Sequence, residues 1–145
     1  MAELHLLWQN STNISLDKKE IEHHLLEVLL RLKAVGRVEV EISLVTDKEI
    51  KALKQRFFGI NEPTDVLSFT YDRPEFASHA GAAYLKRSKQ ILGDKHNQIE
   101  ELTGSIAISI DTATKQAKKA GIKLIDEVKM LASHGLLHLL GFNHR

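Results

Sequence analysis

Three histidines near the end of the chain have the spacing of a metal site. The stretch HGLLHLLGFNHR contains His134, His138 and His144, with Gly141 between the last two. Since His134 and His138 are four residues apart, a helix presents both imidazoles from one face, where they can share an ion. A straight helix would carry His144 about 9 Å further along the axis and away from that face. Gly141 can take up a left-handed conformation that turns the chain back, so all three imidazoles can converge.

Three imidazoles with one open position are typical of a catalytic zinc site, whereas a structural site fills all four positions with protein ligands. The chain has no cysteine, which excludes thiolate ligands and disulfides. We therefore expect one Zn²⁺ per chain on His134, His138 and His144, although nickel or copper would also accept imidazoles. The other five histidines have no partner at metal spacing and are expected to be structural or solvated.

The residue after the first histidine separates this site from a protease. The pattern H-x3-H-x2-G-x2-H equals the ligand spacing of the metzincin proteases, which carry a Glu directly after the first His as general base. Here that position is Gly135, and neither it nor Leu136 or Leu137 can accept a proton. The sequence predicts a metzincin-like metal-site helix at the C-terminus that lacks the protease's general base.

Three blocks of the sequence resemble one family. HGLLHLLGFNH resembles the signature H-G-x-L-H-L-x-G-Y-D-H of the YbeY family of metal-dependent endoribonucleases. PTDVLSF at 63–69 resembles that family's second characteristic block, and TGSIAIS at 103–109 is a weaker match. The order and spacing of the blocks are similar over nearly all 145 residues, so we expect a single domain spanning 1–145.

The resemblance implies an activity, a cofactor and partners. It implies zinc on His134, His138 and His144 at the bottom of a cleft, in an α/β fold with a central mixed sheet. It implies a single-strand-specific endoribonuclease that acts in the 3′-end maturation of small-subunit rRNA and in ribosome quality control. The expected partners are precursor rRNA and the small ribosomal subunit, and no DNA.

Four positions depart from the family pattern. Asn143 stands for the signature Asp, Phe142 for Tyr, and Ser105 for the Asp of a G-D-I segment. The family's arginine, five residues before the proline of its second block, is replaced by Phe58. Two explanations stay open: Arg56, two residues away, takes over the role of holding phosphate and stabilising developing charge, or the segment is shifted relative to the family pattern.

Further contacts with RNA are expected from the same region. Lys54 would neutralise phosphate charge together with Arg56. Ser68 and Thr70, on a predicted strand that would form one cleft wall, would touch backbone oxygens of the substrate. Each of these two also fits as an ordinary strand residue, and the general base is left unassigned.

Hydrophobic periodicity and turn residues predict the elements that must position these groups. Strands are expected at 4–9, 37–45, 66–71 and 104–110, and helices at 18–34, 47–58, 111–120 and 124–140, with a further helical stretch at 76–92 inside a long polar connection. The expected caps are Ser15 or Asp17, Asp47 and Asp111, and the expected stops are Gly36, Gly59, Gly121 and Gly141. This order favours one α/β (α+β) domain with a four-stranded mixed sheet.

Composition excludes several classes of protein. Apolar residues make up 43% and charged residues 27%, as in a soluble globular protein. The first residues lack the pattern of a signal peptide, and no apolar run approaches the roughly 20 residues that span a bilayer. We expect a cytoplasmic protein without a membrane partner.

A net charge of +1 does not by itself indicate nucleic-acid binding, but basic residues cluster locally. One cluster is Lys86, Arg87 and Lys89, and a second comprises Lys115, Lys118, Lys119 and Lys123. Each cluster fits either a solvated helix face or a phosphate-facing patch.

Two alternative functions remain open from the sequence. One is another zinc hydrolase, against which the missing Glu argues. The other is a non-catalytic ribosome-associated factor with a structural zinc, which the displaced arginine and the lost carboxylates favour.

Overall fold

The computed structural model describes residues 2–70 and 98–141. Within them the strands are β1 (Ala2–Asn10), β2 (Val35–Val45), β3 (Val66–Thr70) and β4 (Gln98–Ser109), and the helices are α1 (Lys18–Arg31), α2 (Asp47–Phe58), α3 (Ile110–Ala120) and α4 (Leu124–Leu139). Each element predicted for these ranges is present in the predicted order. The helix predicted at 76–92 lies outside the described residues. No helix in the described ranges is long and apolar enough to cross a membrane.

The four strands form one sheet in the order β1-β2-β4-β3. β2 pairs in parallel with both β1 and β4, while β3 runs antiparallel to β4 at the sheet edge. The parallel pair β1–β2 is joined through α1, as a parallel connection requires. The predicted α+β domain with a four-stranded mixed sheet is confirmed. The antiparallel pair consists of β3 and β4, the strands that precede and follow the long connection.

Neighbouring residues on β4 point to opposite sides of the sheet, and the helices divide accordingly. Ile106 belongs to the main core, which also contains residues of α1, α3 and α4; we call this side the α4 face. Ala107 points the other way and packs with Ile50 of α2; we call this side the α2 face. The fully buried large side chains of the main core are Ile21, Leu25, Leu29, Ile42, Leu44, Leu102, Ile106, Ile108, Leu136 and Leu139.

Two helix starts differ from the prediction. α2 is capped by Thr46, which exchanges hydrogen bonds with Glu49 in a capping box, and Asp47 is already helical. α3 is capped by Ser109 and not by Asp111. A hydroxyl one or two residues before each aspartate has the extended backbone that a cap needs, so it takes the position. The predicted cap Asp17 of α1 is confirmed.

Two element boundaries differ from the prediction. β4 begins at Gln98, six residues before the predicted start, because its first half pairs with the start of β2. α1 ends at Arg31 and not at residue 34, since the chain turns at Lys33, which has a φ of 54°. The predicted stop at Gly36 is therefore wrong, because Gly36 already lies in β2 and pairs with Ala2 of β1. The predicted stops at Gly59 and Gly121 are confirmed, and both glycines have left-handed backbones.

Asp47 and Asp111 join the starts of α2 and α3. The Asp47 N–H donates to the Asp111 carboxylate at 2.8 Å. In return, the Asp47 carboxylate accepts from the hydroxyls of Ser109 at 2.5 Å and Thr112 at 2.6 Å. These hydrogen bonds hold the pKa of Asp47 below its usual value. Both helices therefore start side by side from the carboxyl ends of the paired strands β2 and β4.

Candidate metal centre

α4 carries two of the three predicted ligands near its end. His134 and His138 are one turn apart, about 6 Å along the axis at 1.5 Å per residue, and both are half-buried. The helix ends at Leu139, and Gly141 has a φ of 92° with its N–H donating to the His138 carbonyl at 3.0 Å. The predicted stop at Gly141 is confirmed, and the left-handed backbone there ends the helix directly after the second histidine.

Two glycines bring α4 close to the sheet. A Cβ placed on Gly135 of α4 would lie 2.7 Å from Ile106 Cγ2, and a Cβ placed on Gly104 of β4 would lie 2.7 Å from Leu139 Cδ2. The helix residue number rises as the strand number falls between these contacts, so α4 runs antiparallel to β4. Each glycine receives a large side chain from the other element, and this interlock fixes the height of the histidine-bearing turns above the sheet.

Gly135 therefore has a packing reason as well as a chemical consequence. Its α-carbon faces the fully buried Ile106, so a glutamate side chain would have to displace the core. In this helix the position after the first histidine points into the sheet and not toward open space. The close packing of α4 on the sheet thus leaves no room at this position for the glutamate that a protease uses as general base.

The third predicted ligand, His144, lies outside the described residues, as do Phe142 and Asn143. Residues 2–70 and 98–141 contain no cluster of three His, Cys, Asp or Glu side chains placed to hold a metal ion. The residues present do fit zinc: two imidazoles stand at i and i+4, and Gly141 breaks the helix before the third. Zinc ligation by the three histidines stays a prediction.

β3 lies beside this helix at the sheet edge. Ser68 pairs with Ile106 and Thr70 with Gly104, the two β4 positions on which α4 packs. Because directly opposed residues of an antiparallel pair point to one side, Ser68 belongs to the α4 face. It is 1% exposed, so its hydroxyl is enclosed and not presented on an open wall. For Thr70 only the backbone position is described, and contact of either residue with RNA stays a prediction.

Lys54 and Arg56 lie on α2 and so on the other side of the sheet. Lys54 Nζ is 3.8 Å from the Glu62 carboxylate, and the lysine side chain is only 15% exposed. The Arg56 guanidinium is exposed and lies 5.4 Å from the centre of the Phe57 ring. The structure does not bring these two cations onto the histidine side of the sheet. Their predicted role in holding phosphate remains untested and would require RNA to pass around the edge at β3.

Phe58, at the position where the resemblance leads us to expect an arginine, is half-buried and packs with the apolar cluster beneath α2. Its neighbour Phe57 stacks on Phe69 of β3, with ring centres 4.8 Å apart and an interplanar angle of 29°. The end of α2 is therefore an apolar anchor for the edge strand. At position 58 the chain therefore has an apolar side chain that packs, where the resemblance leads us to expect a charged one.

Glu127 in the first turn of α4 was not singled out by the sequence. It is 3% exposed on the same side of the helix as Val128 and Leu131. Burial raises the pKa of its carboxyl, and the nearby carboxylate of Asp65 raises it further. The available signal was its position four residues before Leu131, on the apolar stripe of the helix. This buried carboxyl marks the opposite end of α4 from the histidines.

These observations define a class of protein: an α+β domain whose mixed sheet carries a glycine-seated helix with two of the three histidines of a metzincin-like motif. A family model described as Endoribonuclease YbeY matches residues 7–145, and the chain belongs to that family. It is 35% identical over 131 residues to the Endoribonuclease YbeY of Syntrophus aciditrophicus, covering 90% of this chain and 69% of that protein. It is 41% identical over 116 residues to that of Gloeobacter violaceus, covering 80% and 52%.

A solved structure shares the fold. The solution structure of TM1509 from Thermotoga maritima matches 97% of this chain and 75% of that one, with a TM-score of 0.55 and 22% identity. At this identity the match supports the architecture alone. The present chain spans from about half to about two thirds of the length of the two curated relatives described above.

Proposed function

We propose that this protein is a zinc-dependent, single-strand-specific endoribonuclease that acts in small-subunit rRNA 3′-end maturation and ribosome quality control. The observation that carries the proposal is the packing of α4 on the sheet, which holds His134 and His138 on one helix that ends just before the left-handed Gly141. The two YbeY relatives are named as endoribonucleases, which supports the class of reaction.

His134, His138 and His144 would hold the zinc in their neutral forms. When bound, zinc supplies Lewis-acid polarisation of a phosphoryl oxygen. The interlock of Gly135 with Ile106 and of Gly104 with Leu139 keeps the two helical ligands in a fixed orientation, which limits reorganisation on binding.

The proton of the attacking group is not taken up at residue 135, because a glycine there has no side chain and the position faces the core. The attacking group would be water or the RNA's own 2′-OH, with the proton acceptor left unassigned, and in both cases the chain's main tasks are to hold the RNA strand and to orient the phosphate. The edge strand β3 is adjacent to α4 and would form the wall along which the RNA lies. Arg56, placed beyond that edge, would neutralise phosphate charge from the α2 side.

The substrate and setting follow from the same proposal. Precursor rRNA is the RNA partner and the small ribosomal subunit the assembly on which cleavage occurs, in the cytoplasm.

The test combines metal content with cleavage. Protein purified without added metal should contain one equivalent of zinc by elemental analysis and should cut a single-stranded RNA. His134→Ala and His138→Ala should lose both the zinc and the cleavage, with unchanged far-UV circular dichroism. His23→Ala is the matched control, since His23 is an exposed histidine of α1 that pairs with Glu27 at 3.1 Å.

Cleavage that survives in both ligand variants would reveal a contaminating nuclease and refute the proposal. Zinc that is lost in the variants while the parent never cuts RNA would favour a structural metal instead.

A further inference from the structure

One basic surface has no role in the proposed site. Residues 112–125 contain Lys115, Lys118, Lys119 and Lys123 and no Asp or Glu, a local charge of +4 in a chain whose net charge is +1. We call Lys115, Lys118 and Lys119 the lysine stripe. Charge concentrated in this way raises the local positive potential and attracts polyanions.

The stripe occupies one side of α3. At 100° per residue its three lysines fall within an arc of about 100°, opposite the buried side formed by Ala113 and Ala117. All three lysines are exposed. Lys115 and Lys119 are about 6 Å apart along the axis and Lys118 lies beside them, so the three lysines cover one exposed side of the helix.

Lys115 attracts the Asp47 carboxylate and follows Asp111 by one helical turn, but none of the three ammonium groups is held in an ion pair within the described part of the molecule. There, no carboxylate lies within 4.0 Å of any of its ammonium groups, whereas Lys129 of α4 contacts Glu20 at 3.1 Å and Asp126 at 3.9 Å. An unpaired group of lysines is free to exchange its counterions for phosphates, which is the main source of affinity for a nucleic-acid backbone.

The helix that carries the lysine stripe packs on the same side of the sheet as the helix that carries the histidines. α3 supplies Ile110 and Ala113 to the main core and packs against α4, which carries the histidines. The lysine stripe and the histidines therefore belong to the same layer of helices. RNA held at the stripe can continue along this layer, whereas Lys54 and Arg56 belong to α2 on the other face.

We propose that the lysine stripe is a second, sequence-independent docking surface for the phosphate backbone of single-stranded RNA. This inference rests on the proposed function for the identity of the polyanion. The stripe binds the strand away from the histidines and raises the affinity for long substrates without taking part in bond cleavage.

Binding is measured with the full chain in EDTA, by fluorescence anisotropy of a labelled oligouridylate between about 50 and 200 mM salt. Lys115→Gln, Lys118→Gln and Lys119→Gln are combined in one variant. Three lost phosphate contacts on a single strand should reduce the slope of log affinity against log salt by about 2, and weaken binding at least about ten-fold at the lower salt. An oligoadenylate should show the same change.

The control variant combines Lys18→Gln, Lys19→Gln and Lys51→Gln, which removes the same charge from exposed sites on α1 and α2. It should keep the parental slope. Equal slopes in the parent and the stripe variant, or an equal loss in the control, would overturn the proposal.

The two proposals fail separately. If the parent binds RNA through the stripe but never cuts it, the docking surface stands and the nuclease does not. If histidine-dependent cleavage is found with the same KM for long RNA in the parent and the stripe variant, the nuclease stands and the docking surface does not. With both correct, the stripe variant raises KM and leaves kcat unchanged.

Discussion

Gly135 of α4 and Ile106 of β4 meet so closely that no side chain fits between them, since a Cβ on Gly135 would lie 2.7 Å from Ile106 Cγ2. Ile106 is fully buried and its Cγ2 is bonded directly to its own Cβ, so it cannot move aside by rotation of a flexible end. The histidine motif therefore has a glycine and not a glutamate after its first histidine because the packed core leaves no space for a side chain there.

Gly135→Ala should lower the free energy of unfolding by about 1–3 kcal/mol, because overpacking outweighs the roughly 1 kcal/mol that alanine gains over glycine in a helix. Urea denaturation measures this change. Ser133→Ala, two residues away with its hydroxyl bonded to the Met130 carbonyl, should change stability by less than about 0.5 kcal/mol. A Gly135→Ala protein as stable as the parent would show that the helix can lift from the sheet at no cost.

Asp47→Ala should destabilise the protein by about 1–2 kcal/mol at neutral pH, since it removes the acceptor for Ser109 and Thr112. The folded pKa of Asp47 is lowered, so its contribution is complete above the unfolded value of 3.8 and is lost as pH falls through the folded value. Denaturation at a series of pH values should show the gap between parent and variant closing in acid. Asp47→Asn, which keeps one acceptor oxygen, should lose less than alanine.

Glu127→Gln should stabilise the protein at neutral pH by more than the roughly 0.5 kcal/mol typical of surface substitutions. The folded pKa of Glu127 is raised, so the parent loses stability as pH rises from the unfolded value of 4.5 through the folded value. Thermal unfolding across this range should show the two curves meeting in acid and separating above it. A variant that is less stable throughout would mean that the carboxylate has a partner that glutamine cannot satisfy.

Zinc should raise the temperature of thermal unfolding of the parent and not of His138→Ala, because a ligand that binds only the folded chain stabilises it by about 2.7 kcal/mol at 100 times Kd. EDTA should reverse the shift. His5→Ala is a suitable control, as His5 lies on β1 and bonds with Glu3. An identical shift in the parent and the ligand variant would place zinc elsewhere.

The elements themselves were predictable because their signals are local. Apolar spacing defined α1 and α4, and Gly59, Gly121 and Gly141 ended helices where a left-handed residue was expected. The mixed sheet followed from the alternation of helices and strands, with one long connection where a strand could reverse. These predictions needed only periodicity and the backbone freedom of glycine.

The missed features depend on contacts between distant segments. No local pattern shows whether α2 covers the Ile106 side or the Ala107 side of β4, and this choice separates Arg56 from the histidines. Likewise, Asp47 and Asp111 read as caps of their own helices, whereas each carboxylate serves the start of the other. Such pairings arise only once β2 and β4 lie side by side.

The pairing of β2 with β4 has a consequence for the order of folding. Glu41 and Ser105 meet across these strands although they are 64 residues apart, so the pairing must close a long loop before it is stabilised. α4 can pack in its final position only after β4 has paired, because Gly104 and Ile106 of β4 form the surface on which it packs. The two histidines of α4 therefore reach their final positions in a late, non-local step, and slow pairing of β4 would delay the placement of these imidazoles more than the formation of the helix.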